Sequence, residues 1–107
     1  ESVQAALTTT LTTEILPAAA DTLVKINNII IANIDGSSSV DVSLFITKSG
    51  GSPLAIASTI SVPADSTLIA FDKNSTIYLE PGDNLEGGAS ANGDAIVTVN
   101  YEILNDA

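Results

Sequence analysis

Val40-Asp41-Val42-Ser43-Leu44-Phe45-Ile46-Thr47 is the stretch that decides the fold. Val40, Val42, Leu44 and Ile46 alternate with Asp41, Ser43, Phe45 and Thr47. That period of two puts one side of a strand in a core and the other in water. Phe45 breaks the rule by placing a large apolar ring on the wet side.

Upstream, Asp35-Gly36-Ser37-Ser38-Ser39 reads as a turn, and before it runs the longest apolar segment, Leu23 to Ile34. Regular alternation assigns Val24, Ile26, Ile30, Ala32 and Ile34 to one face, interrupted by Asn28, and turns Ile29 and Ile31 to the other beside Lys25, Asn27 and Asn33. A strand apolar on both faces is central in a sandwich or covered by another subunit. Further back, Ala6 to Leu16 is expected as one strand with Leu7, Leu11 and Ile15 on one side and Thr8, Thr10, Thr12 and Glu14 on the other. Helical spacing fits those three apolar residues too, but β-branched threonines lose χ1 freedom in a helix. Pro17 to Asp21 then turns the chain.

Downstream, Lys48 to Pro53 leads into Leu54, Ile56, Ile60 and Val62, and Pro63-Ala64-Asp65-Ser66 is the next turn. Short strands follow over 67–71 and 76–79, joined by a turn at Asp72-Lys73-Asn74-Ser75. Glu80-Pro81-Gly82-Asp83 has type II turn chemistry, with proline presetting φ and glycine supplying a positive one. Residues 84–90 form a weaker strand in which Gly87-Gly88 points to a bulge or an edge. After Asn92-Gly93-Asp94, the last strand sends Val97, Val99, Tyr101 and Ile103 inward. The expectation is all-β: one domain over residues 1–107, an antiparallel β-sandwich or jelly roll of about eight strands. Residues 1–13 are set apart as a candidate N-terminal arm or docking strand.

Composition narrows the chemistry. The chain has no His, Cys, Met or Trp, and its three cations, Lys25, Lys48 and Lys73, are scattered among thirteen acidic residues for a net charge of −10. Nucleic acid and anionic membranes are disfavoured as partners, since both need clustered cations. The opening Glu1-Ser2-Val3-Gln4 lacks the basic-then-apolar layout of a secretory leader. Serine nucleophiles have no imidazole or thiol partner. Glu80, Asp83 and Glu86 surround a turn and are expected to face water. The loop acids Asp35, Asp41, Asp65, Asp72, Asp83 and Asp94 lack the closely spaced pattern of a calcium loop. Asn74-Ser75-Thr76 matches a glycosylation acceptor, a tripeptide common by chance. No catalytic residue, metal ligand or cofactor is expected. What stands out instead is an apolar residue set on wet faces: Ile29, Ile31, Phe45 and either Ile69 or Phe71, enough for a patch that a partner covers.

Three segments in order, Ile60-Ser61-Val62-Pro63-Ala64-Asp65-Ser66-Thr67-Leu68, Ile77-Tyr78-Leu79-Glu80-Pro81-Gly82-Asp83-Asn84-Leu85 and Val97-Thr98-Val99-Asn100-Tyr101-Glu102-Ile103, carry a resemblance. Together with Val24-Lys25-Ile26-Asn27-Asn28-Ile29, they resemble small β-sandwich virion structural proteins of tailed bacteriophages, nearest those of marine and cyanobacterial phages. The resemblance covers roughly residues 14 to 104. It implies a non-enzymatic capsid decoration (cement) protein on the virion surface, holding major capsid or other virion subunits. It also implies a homo-oligomer, with a trimer as the working expectation, and it brings no catalytic residues. Contacts are expected at Ile29, Ile31, Phe45 and the segment containing Thr8, Thr10 and Thr12. A tail or neck component is the nearest alternative, and a carbohydrate-binding or adhesive cell-surface module the next.

Overall fold

The computed structural model describes residues 1–19, 22–48, 50–72 and 77–105. Lys73, the Asn74-Ser75-Thr76 tripeptide and the last two residues lie outside the described residues. Nine strands are present among the described residues: β1 Ser2–Ala6, β2 Thr13–Pro17, β3 Thr22–Asn33, β4 Val40–Thr47, β5 Pro53–Val62, β6 Thr67–Phe71, β7 Ile77–Leu79, β8 Asn84–Ala89 and β9 Ala95–Asn105. They form two antiparallel sheets. One has the order β1-β9-β3-β6, with β7 also on β3, and the other the order β2-β8-β4-β5.

β7 pairs with Val24 to Ile26 and β6 with Ile29 to Ala32, so the two lie end to end on one edge of β3 and act as a single interrupted strand. With that pair counted as one, the strands couple first with last: β1 with β9, β2 with β8, β3 with β6 and β7, β4 with β5. The chain is one long hairpin rolled into two layers, which is the jelly-roll order.

Between the layers sits an aliphatic core. Ile26, Ile29, Ile31, Val97 and Val99 of the five-stranded sheet meet Val42, Leu44, Val62 and Leu85 of the four-stranded one, with Leu7 and Leu79 closing the sides. Phe71 and Tyr101 only flank it. The alternation read in β4 is realised: Val40, Val42 and Leu44 are buried and Ile46 packs on the core. Glu80 to Asp83 forms the expected turn, with Asp83 N donating to Glu80 O at 2.9 Å and Gly82 at φ 87°.

The alternation expected in β3 is not realised. Ile26 faces Tyr101 and Asn28 faces Asn100, so Asn27 is an extra residue opposite nothing, a β-bulge. Up to Ile26 the even-numbered residues point inward; beyond the bulge Ile29, Ile31 and Asn33 do. Regular pleating would have buried the Asn28 amide mid-core without a partner, at a cost of about 1–3 kcal/mol. With the bulge, Asn28 Oδ1 accepts from Asn100 Nδ2 at 2.7 Å and Asn27 Nδ2 donates to Glu102 Oε1 at 3.2 Å, both part of the outer surface.

The single strand expected over 6–16 is two strands, because β1 belongs to one sheet and β2 to the other and the chain must cross between them. Leu7 drops into the core and Leu11 is left exposed. The crossing segment lies over β8, a central strand rather than the edge its glycines implied. A Cβ on Gly88 would stand 2.5 Å from Leu11 Cα and 2.7 Å from Thr10 O, so the side chain is missing where backbone passes over backbone. On β5 the register leaves Ser58 and Thr59 opposite Ser43, with Thr59 at φ 52° and its N–H donating to Ser43 Oγ at 3.0 Å. A β-branched residue in the left-handed region is strained.

Two substitutions should move stability in opposite directions. Gly88→Ala is expected to lower the unfolding free energy by about 1–3 kcal/mol through overpacking. Thr59→Gly is expected to raise it by up to about 1 kcal/mol, as relief of the left-handed strain outweighs the added unfolded-state freedom. Urea unfolding of both variants beside the wild type checks the signs.

Candidate functional site

The bulge in β3 has a second effect: the residues it expels from the core are apolar. Past Asn28, the outward residues are Ile30 and Ala32, with Ile34 just after the strand. Ile30 lies opposite Ile69 of β6 on one side and Thr98 of β9 on the other; Ala32 lies opposite Thr67 and Ile96. Ile96 in turn faces Ala6 of β1. Ala6, Ile96, Ala32, Ile30, Ile69 and Ile34 therefore run across every layer of hydrogen-bonded neighbours in the five-stranded sheet, on its outer face. Of its isoleucines, Ile34 and Ile69 are the most open, at 61% and 62% exposure. Among the described residues, the paired strand positions of this half carry no charge; Gln4, Thr67 and Thr98 are its polar members, and Asp94, whose C=O accepts from Ile34 N at 2.8 Å, stands at its rim.

The other half of the same face is more polar, although Tyr78 and the Leu23–Leu104 pair also lie on it. Lys25 sits between Tyr78 and Glu102, and the Asn27–Glu102 and Asn28–Asn100 pairs fill the middle. The outer face of the four-stranded sheet is mixed, with Phe45 and Ala55 beside charged and hydroxyl groups. Thr47 Oγ1 donates to Glu86 Oε1 at 2.6 Å, and Glu14 stands directly opposite Glu86.

Set against the residues singled out from the sequence, the placement is mixed. Ile29 and Ile31 are fully buried, so they are core residues and not contacts; the bulge, invisible to a count by twos, exchanged them for Ile30, Ala32 and Ile34. Phe45 does face outward but is half-buried between Ala55 and Glu86. Of the alternatives Ile69 and Phe71, Ile69 is outward and Phe71 packs on the core opposite Ile29, because Ala70 is an extra residue in the β6 register. Thr8, Thr10 and Thr12 lie in the crossing segment. There Thr8 Oγ1 bonds Thr13 Oγ1 at 3.0 Å and accepts from Thr10 N at 3.2 Å, while Thr13 Oγ1 donates to Thr10 O at 2.9 Å. Thr8, Thr10 and Thr13 close their own loop, and Thr12 is exposed. The one signal that could have found the outward set is the Asn27-Asn28 doublet, since two adjacent amides share a face only at a bulge.

Two loop carboxylates, Asp83 and Asp35, are tied into local hydrogen bonds. Asp83 is buried; its Oδ2 accepts from Lys48 Nζ at 2.9 Å and from Glu80 N at 3.0 Å, and Lys48 also reaches Glu80 Oε1 at 3.0 Å. Those bonds to Asp83 and then Glu80 hold the Lys48 ammonium above the usual lysine range. Asp35 accepts from Ser37 N at 2.9 Å and Ser37 Oγ at 3.0 Å, which hold its carboxyl below the usual range. Among the described residues no group of three acidic side chains is placed to hold a metal ion.

The signs of these shifts set the pH response. Lys48, raised in the folded state, stabilises fully below its ordinary value of 10.5, and that contribution disappears as pH rises through its folded value. Asp35, lowered, stabilises above 3.8, and its contribution is lost as pH falls through its folded value. Lys48→Met should lower the melting temperature at neutral pH and remove part of the alkaline decline; a melting series against pH reads both.

No family model and no curated protein matches this chain.

Proposed function

We propose that this chain is a non-enzymatic structural protein of a tailed-bacteriophage virion, a capsid decoration protein that stabilises the head by lying against major capsid subunits. The observation that carries the reading is the uncharged apolar half-face around Ile30, Ile69 and Ile96, on a domain of net charge −10. A free chain gains nothing from exposing isoleucines on neighbouring strands, whereas a subunit that spends its working life against another surface does. The charge keeps such a protein soluble at high copy number and repels it from packaged nucleic acid. The jelly roll is an architecture of viral capsid proteins and of lectins alike, so the fold is compatible with the reading without selecting it. The resemblance in the 60–68, 77–85 and 97–103 segments points to the virion.

Purified chain mixed with heads of the source phage lacking it, then sedimented, tests the proposal. Binding to heads is expected, and Ile69→Asp is expected to weaken it by at least about tenfold, since it buries an unpaired charge in the contact. Ile69 is open, so the variant should keep the wild-type melting temperature to within about 1 kcal/mol equivalent. Binding to tails instead would move the protein to a tail or neck position. Failure to bind particles together with binding on a glycan array would replace the proposal with a surface-binding module.

A further inference from the structure

Each sheet of an open sandwich leaves two edges, and here the four edges differ. The edge strand β5 begins with Pro53 and carries two register shifts; β2 ends in Pro17, contains Glu14 and carries one shift. The third edge is shared by two short strands, β6 and β7, and β6 has its own shift. Bulges, prolines, charges and interruptions are how edges are kept from pairing with other chains. β1 has none of them. Ser2-Val3-Gln4-Ala5-Ala6 is uncharged, free of proline and pairs with β9 without a shift.

The phase of β1 follows from the residue just before it. Glu1 N donates to Tyr101 O at 2.9 Å and Tyr101 N donates to Glu1 O at 2.9 Å, so this is a hydrogen-bonded pair. Leu7 N donates to Ala95 O at 2.8 Å, which continues the same phase. In an antiparallel ladder such pairs alternate with non-bonded ones. Odd-numbered residues of β1 therefore point their backbone groups at β9, and Ser2, Gln4 and Ala6 point theirs to the open side. These three are exposed.

From this we infer that β1 is the contact for a second copy of the same chain, pairing antiparallel about a two-fold axis at Gln4. Gln4 then faces its own counterpart and Ser2 faces Ala6 of the partner in both directions. Every outward N–H and C=O of the strand meets a complement, about six hydrogen bonds in all. The small Ser and Ala side chains leave the approach unobstructed. The axis stands perpendicular to the sheet, so the two five-stranded sheets merge into one and their apolar half-faces look the same way. This concerns the free chain and holds or fails independently of the virion reading. A particle-binding monomer and a dimer that ignores particles are distinguishable outcomes.

Size-exclusion chromatography with light scattering, over a range of concentrations, should give twice the 10.9 kDa chain mass. Gln4→Pro removes an N–H that the intramolecular ladder does not use, a position where an edge strand tolerates proline. It should weaken association by at least about tenfold. Because a proline could also loosen β1, Gln4→Cys gives a second reading. Cα atoms of a hydrogen-bonded antiparallel pair lie about 5.5 Å apart, within disulfide reach. The chain has no other cysteine. With oxidised glutathione as oxidant, Gln4→Cys should cross-link to a covalent dimer, while Ser61→Cys on the β5 edge should not. A monomer at the highest soluble concentration, a trimer, or a dimer indifferent to Gln4→Pro and without the Gln4→Cys cross-link each overturns the inference.

Discussion

The central strand β3 cannot run straight through the core without carrying an amide into it, and the bulge at Asn27 is how the chain avoids that. One additional residue keeps Asn27 and Asn28 on the surface, bonded to Glu102 and Asn100, and delivers Ile29 and Ile31 to full burial. Each buried isoleucine contributes about 1.5–3 kcal/mol, more than the loss of one ladder position. The same phase change turns Ile30, Ala32 and Ile34 outward. Core and candidate docking face are thus two sides of one local decision, and a strand without the bulge would have neither in its present form.

The far end of β3 shows why an asparagine is tolerated inside at one position and excluded at another. Asn33 is buried after the bulge, yet its Nδ2 donates to Ser38 O at 3.0 Å and Val62 O at 2.9 Å, and its Oδ1 accepts from Asp35 N at 2.9 Å. At the rim of the sandwich, loop and strand-end backbone groups are present to satisfy an amide; in the middle, at Asn28, only side-chain carbon would surround it. Asn33 ties the 35–38 loop and the end of β5 to β3, and so fixes the rim next to Ile34. Glycine works by the opposite means on β8, where Gly88 supplies absence of a side chain beneath the Thr10–Leu11 crossing.

A domain this size with no disulfide and a nearly aromatic-free core has little stability to spare. Its polar devices accordingly sit at turns and rims: the Lys48–Asp83–Glu80 cluster binds the loop after β4 to the turn before β8, and the threonines bind the β1–β2 crossing. That leaves the outer half-face of the five-stranded sheet as the part whose composition the isolated fold does not require. An assembly role uses it, and merging two sheets through β1 would double it without changing its chemistry.

The sequence by itself determined the class, one all-β domain, the alternation of β4 and β9, the Glu80–Asp83 turn and the absence of imidazole and thiol chemistry. Each of these depends on residue types or on neighbours within a few positions. Strand order was decided only in the tertiary structure, because pairing β1 with β9 is a contact across almost the whole chain. The orientation of Ile29 and Ile31 was decided there too, since a bulge shifts the phase of every later residue and becomes compulsory only when a core exists for Asn28 to avoid. The same holds for the glycines of β8, which read as a weak edge until the crossing segment is laid over them. Period-two patterning specifies that a strand has two faces; which face is inside is set by what packs against it.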